Sequence, residues 1–123
     1  MEGRAPDIVL LERRIDPAEL RRLCERFEGM VKYVVDVERG LVAAGGEMHA
    51  DAEEVLLEAG SRQADLWGAN YYPGRGAEDC IEYTSLINIR PAAGNRGMEL
   101  QDAALRDKVR EITHTLVGRG EAV

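Results

Sequence analysis

Met30-Val31-Lys32-Tyr33-Val34-Val35-Asp36-Val37-Glu38-Arg39-Gly40-Leu41-Val42-Ala43-Ala44 is the stretch whose reading decides the fold. In its first half Val31, Tyr33, Val35 and Val37 fall on one side and Lys32, Val34, Asp36 and Glu38 on the other. That is the two-residue period of a half-buried strand. Glu38-Arg39-Gly40 then supplies a tight turn, and Leu41 to Ala44 is a second apolar run of strand length, so the two form an antiparallel hairpin.

Upstream, Ile15-Asp16-Pro17-Ala18-Glu19-Leu20 carries every sign of a helix start: Asp16 as N-cap, Pro17 at the first helical position, Glu19 at the capping-box position, and Ile15 stapled against Leu20. Leu20, Leu23, Cys24 and Phe27 make the apolar stripe of that helix, and Gly29 is its stop. Ile8 to Leu11 is a short apolar run expected at a sheet edge. Downstream of the hairpin, Gly45-Gly46 ends the run. Asp51 and Glu54 have capping-box spacing, which predicts a helix from about Ala52 to Ala59 with Gly60 behind it and leaves Glu47 and His49 outside.

Leu66 to Tyr72 reads as the next strand. The loop from Pro73 to Ala77 leads into the longest expected strand, Cys80 to Arg90, with Ile81, Tyr83, Ile87 and Ile89 opposed to Glu82, Thr84, Asn88 and Arg90. Pro91 to Gly97 breaks the sheet. A last helix begins near Ala103, carrying Leu105, Val109, Ile112 and Leu116, with Gly118 after it. The expected architecture is an α+β two-layer sandwich, three helices packed on one face of a four- or five-stranded, mostly antiparallel sheet. Residues 1–123 form a single domain, with flexible ends at about 1–6 and 119–123.

At 123 residues the chain has room for one core. A net charge of −7 argues against a nucleic-acid surface, because neutralising phosphates supplies most non-specific affinity. No apolar run reaches the roughly 20 residues needed to span a bilayer. The N-terminus is too polar for a signal peptide, so a cytoplasmic protein with no membrane partner is expected. Cys24 and Cys80 have no metal-ligand spacing and are expected to be reduced.

His49-Ala50-Asp51-Ala52-Glu53, Leu56-Leu57-Glu58, Gly60-Ser61, Gln63, Asp65-Leu66-Trp67-Gly68, Asn70, Tyr72-Pro73, Ser85, Ile87-Asn88-Ile89-Arg90-Pro91 and Gly94-Asn95 together resemble an uncharacterised family of small prokaryotic proteins, over roughly Met30 to Leu116. The resemblance brings no activity with it. It directs attention to those residues.

Three chemical readings compete with plain structural ones. His49, with Glu47, Asp51 or the more distant Asp79 or Glu82, has donor types that suit Zn, Mn or Fe, although Asp51 already has a capping role. Arg90, Asn95, Arg96 and the glycine-flanked loop Gly94 to Gly97 could cradle an anion; the bland alternative pairs Arg90 with Glu82. The sheet face carrying Asn70, Tyr72, Glu82, Thr84, Asn88 and Arg90, with Val34 and Leu86 among them, is the surface expected for self-association. The functional expectation is a binding or regulatory domain that forms a homodimer and has room for a small anionic ligand. Its candidate residues are His49, Glu47, Asn70, Asn88, Arg90, Asn95 and Arg96. The alternative is a small metal- or acid/base-dependent enzyme centred on His49. No cofactor motif is present.

Overall fold

The central hairpin forms as its two-residue period requires. In the computed structural model, which describes residues 7–123, β2 (Val31–Asp36) runs antiparallel to β3 (Leu41–Gly45), with Tyr33 opposite Ala44 and Val35 opposite Val42. The N-terminal end expected to be flexible, residues 1–6, lies outside the described residues. Asp36 shapes the turn: its buried carboxylate accepts from the Glu38 and Arg39 amides, each at 2.9 Å, and from the Ser61 hydroxyl at 2.6 Å. A turn residue thereby also ties down the far end of the following helix.

Around the hairpin stand β1 (Ile8–Leu11), α1 (Pro17–Glu25), α2 (His49–Glu58), β4 (Leu66–Tyr71), β5 (Ile81–Glu82) and α3 (Ala103–Leu116). The sheet order is β1-β3-β2-β4-β5 and every pairing is antiparallel. The expected α+β class, three helices and five antiparallel strands are therefore present. The distribution of helices over the sheet is not the expected one. α1 and α3 cover the face that holds Tyr33, Val35, Val42, Trp67, Ala69 and Tyr71, whereas α2 buries Ala52 and Leu56 against Val34, Ala43 and Leu66 on the opposite face. The cause is in the strands: Val34, Ala43 and Leu66 are apolar on the side reserved for polar groups, and such surface must be covered.

The helix starts divide in the same way. Asp16 caps α1 by accepting from Ala18 N at 2.8 Å, with Pro17 behind it, as its sequence dictates. Asp102, not singled out from the sequence, caps α3 through Leu105 N at 3.0 Å. α2 departs from expectation. It begins at His49 rather than Ala52, its N-cap is Met48 with no side-chain cap, and Asp51 sits in the first turn. Docking of Ala52 and Leu56 on the sheet outweighs the capping-box spacing, and the first-turn carboxylate still serves the helix dipole.

Cys80 to Arg90 does not form the long strand expected of it. Only Ile81–Glu82 pairs as a strand; beyond it the chain turns away through 3-10 turns at Leu86–Asn88 and Pro91–Ala93. Side chains then do what a strand backbone would have done. Asn88 accepts from Gly68 N at 2.9 Å through Oδ1 and donates to Gly68 O at 3.0 Å through Nδ2, a two-point imitation of a ladder pair. Arg90 donates to the carbonyls of Leu66 and Gln63, stacks over Trp67 at 4.4 Å and lies 3.8 Å from Glu53, not against Glu82. Gly68 makes the approach possible, since a Cβ there would stand 2.7 Å from the Cβ of Ser85.

Replacing Asn88 with alanine would leave the Gly68 amide and carbonyl buried without partners, and the expected cost is about 3 kcal/mol from orphaned buried groups. Chemical denaturation of Asn88→Ala should therefore show a midpoint far below the wild type. A loss under about 0.5 kcal/mol, the range of ordinary surface changes, would contradict the imitation of a ladder pair.

Candidate functional site

The antiparallel register lays a row of polar side chains across three strands. Lys32 of β2 is opposite Asn70 of β4, and Asn70 is opposite Glu82 of β5, so all three project from the α2 face at one level. α2 begins directly above them. Its first residue, His49, brings its ring over β4, with Nε2 2.9 Å from Ala69 O and the ring edge beside Gly68.

Each member of the row has a partner, and Asn70 alone keeps a buried atom without one. Lys32 Nζ donates to Glu47 O at 2.7 Å, so Glu47 contributes its carbonyl while its side chain stays in solvent. Glu82 Oε1 accepts from Asn70 Nδ2 at 2.9 Å and from the Tyr72 hydroxyl at 3.0 Å, and the Arg75 guanidinium lies 3.8 Å over the Tyr72 ring. With its nitrogen turned to Glu82, Asn70 points its oxygen the other way. That oxygen is buried and has no hydrogen-bond partner, on a residue only 8% exposed. A buried acceptor left in this state costs free energy, and native structures seldom tolerate it without a reason.

The imidazole beside it is held in one neutral form. A carbonyl can only accept, so Nε2 carries the hydrogen donated to Ala69, and Nδ1 keeps its lone pair. Burial pulls the His49 pKa below its ordinary 6.5; the Ala69 carbonyl opposes this, Lys32 reinforces it, and Asn70 and Glu82 push it back up. The Tyr72 hydroxyl is raised by burial and then by Glu82, so it acts as a donor to that carboxylate.

Of the residues expected from sequence, His49 and Asn70 come together here, and Glu47 joins them through its backbone. Asn88 and Asn95 are buried in structural roles. Asn95 Nδ2 donates to the carbonyls of Asn88, Gly97 and Glu99 at 2.9, 3.0 and 3.1 Å, closing the Gly94 to Gly97 loop from within. Arg90 turns its donors to carbonyls, and Arg96 is exposed. Of the expected anion cradle, Arg90 and Asn95 thus serve the scaffold and Arg96 faces solvent. Among the described residues no group of three or more His, Cys, Asp or Glu is placed to hold a metal ion. Sequence reasoning set Lys32 on the opposite side from Tyr33 correctly but gave no means of aligning it with Asn70; register alone does that.

A cleft of about 310 Å³ opens on the other side of the Gly45-Gly46 turn, with Leu23 and Phe27 as its floor and Asp7, Glu47 and Asp51 on its rim. Arg26, also on the rim, is bound to Asp7 at 2.6 Å. Both cysteines are buried and free, and burial pushes the Cys24 thiol up to about 11, far from thiolate chemistry. A family model described as a protein of unknown function (DUF5674) matches residues 9–116. No curated protein and no solved structure matches the chain.

Because the folded state lowers the His49 pKa below the unfolded value of 6.5, it binds the proton less readily than the unfolded chain. The stabilisation is therefore whole above about pH 6.5 and is lost as pH falls through the folded pKa. His114, also lowered by burial, has the same sign and leaves a residual slope. Thermal unfolding between about pH 7.5 and 5 should show a shallower acid loss in His49→Gln than in the wild type. Identical slopes in the two proteins would remove His49 from the buried, neutral state described here.

Proposed function

The chain belongs to the DUF5674 family of proteins of unknown function, and on that premise we propose that it is a small binding domain that self-associates and takes a small ligand at the Lys32-Asn70-Glu82 row beneath His49. The observation that carries this reading is the Asn70 oxygen, a buried acceptor without a partner beside an imidazole that offers a lone pair. Both groups ask for a donor. The ligand class that fits supplies N–H or O–H groups, neutral or cationic, with the Glu82 carboxylate at hand for a positive charge. A net charge of −7 draws the cationic members of that class and repels anions. The small anion expected from the sequence loses its support because Arg90 already serves backbone carbonyls.

Lys32 borders the row as the cross-strand neighbour of Asn70 on the side away from Glu82, with its head group hydrogen-bonded to the Glu47 carbonyl at 2.7 Å and 5.8 Å over the Phe27 ring. Self-association is supported by the all-apolar strand Ile8–Leu11 at one end of the sheet, whose Leu10 is 38% exposed. Val34, by contrast, lies fully buried under α2, so that part of the sheet face expected to mediate the dimer is covered.

Nuclear magnetic resonance titration with ethanolamine, guanidinium, glycerol, acetate and phosphate tests the ligand class. The donors are expected to shift the His49 ring and Asn70 amide signals, and Glu82→Gln should weaken the cationic probes about tenfold, a loss near 1.4 kcal/mol. Asn70→Leu should abolish the response while keeping the fold. Shifts at these residues from acetate or phosphate alone would reverse the assignment of the ligand class.

A further inference from the structure

The two edges of the sheet are treated in opposite ways. At the β5 end, the side chains of Asn88 and Arg90 close the edge of β4 past the two-residue strand Ile81–Glu82. At the other end, β1 pairs with β3 on its inner side, and among the described residues no strand pairs with its outer side. Its sequence, Ile8-Val9-Leu10-Leu11, contains none of the usual protections of an exposed edge: no lysine, no proline and no other charge. Leu10 is 38% exposed, and a groove of about 450 Å³ follows the strand between Val9, Leu11, Arg13 and the start of α1 at Asp16 and Glu19.

We infer that this edge is the self-association surface: β1 pairs antiparallel with β1 of a second copy, joining two five-stranded sheets into one. The inference rests on the self-association proposed above and assigns it a place. An unpaired run of backbone donors and acceptors is satisfied by another strand, which singles out a β partner over a helix or a small molecule. The four apolar residues of the strand, with Leu10 exposed among them, then favour a second copy of this chain, whose β1 is equally apolar. A two-fold axis normal to the sheet at Leu10 keeps the α1 and α3 layers of both copies on the same side. In that register Leu10 lies on the axis and Val9 faces Leu11 of the second copy, an apolar centre on both sides of which Ile8 meets Glu12 and Asp7, already bound to Arg26, meets Arg13. Moving the axis to Val9 would put Asp7 opposite Leu11 instead.

Sedimentation velocity over a wide concentration range, with amide exchange of residues 8–11, decides the matter. The wild type is expected to dimerise, and the Ile8 to Leu11 amides should exchange more slowly as concentration rises. Leu10→Lys, which sets two ammonium groups against each other at the axis, should weaken the dimer at least tenfold, and Arg13→Glu should weaken it less. Leu86→Lys should leave it unchanged. A dimer that survives Leu10→Lys but dissociates in Leu86→Lys overturns the β1 assignment and leaves self-association standing through another surface. A monomer at every concentration overturns both. If Leu10→Lys does not fold, exchange in the wild type decides alone: rates at residues 8–11 that ignore concentration would refute the pairing.

Discussion

A strand buried along its whole length cannot leave its backbone groups unpaired, and β4 is such a strand: all six residues from Leu66 to Tyr71 are buried. One side of it pairs with β2 over its full length. The other side receives backbone partners only at Asn70 and Tyr71, so Gly68 and Leu66 must be satisfied otherwise. The chain from Ser85 to Glu99 is built around that need. Asn88 serves Gly68, Arg90 serves Leu66, and Asn95 holds the loop that presents both, with the Arg90 guanidinium further fixed by Trp67 and Glu53. Such side-chain pairing has a steep failure mode, because removing one partner orphans two backbone groups at once.

The same constraint creates the candidate site. The missing side chain of Gly68 leaves room for both Ser85 and the His49 ring against the strand, and the short pairing of β5 leaves Glu82 as the last residue of its row. Asn70 is thereby caught between a carboxylate that takes its nitrogen and an imidazole already donating to Ala69. Its oxygen has no protein donor left. Structural demands on β4 and the unsatisfied acceptor beside it are two consequences of one arrangement, which is why the polar residues of this region divide so sharply into scaffold and site.

The opposite face is a plain apolar core. Tyr33 and Tyr71 are fully buried there, yet each keeps its hydroxyl bonded: Tyr33 to Thr113 at 2.7 Å, and Tyr71 by accepting from Gly120 N at 2.8 Å. The second bond, with Gly74 and Gly76 donating to the Gly120 carbonyl at 2.9 and 3.1 Å, stitches the chain beyond α3 onto the loop after β4. Aromatic residues are scarce in this chain, and these two place their rings in the core and their polar ends at its margins.

The elements whose signals are local were legible in the sequence. The alternation of Val31 to Val37, the turn at Glu38 to Gly40, the cap and proline at Asp16-Pro17 and the apolar spacing of α3 depend on near neighbours in the chain, and each appears where those residues require. His49 and Asn70 could be singled out as polar residues without evident structural employment. What the sequence could not contain was who faces whom. The alternating pattern of Cys80 to Arg90 is compatible with a long strand, and only the demands of the β4 edge turn it into 3-10 turns whose side chains replace a ladder. In the same way Val34, Ala43 and Leu66 reveal the second apolar face only when the strands are in register, which then draws α2 across and starts it at His49. Local propensity fixes elements because its interactions span a few residues; the covering of faces and the pairing of edges are settled between residues far apart in sequence, by the free energy of burying apolar surface without stranding a polar group.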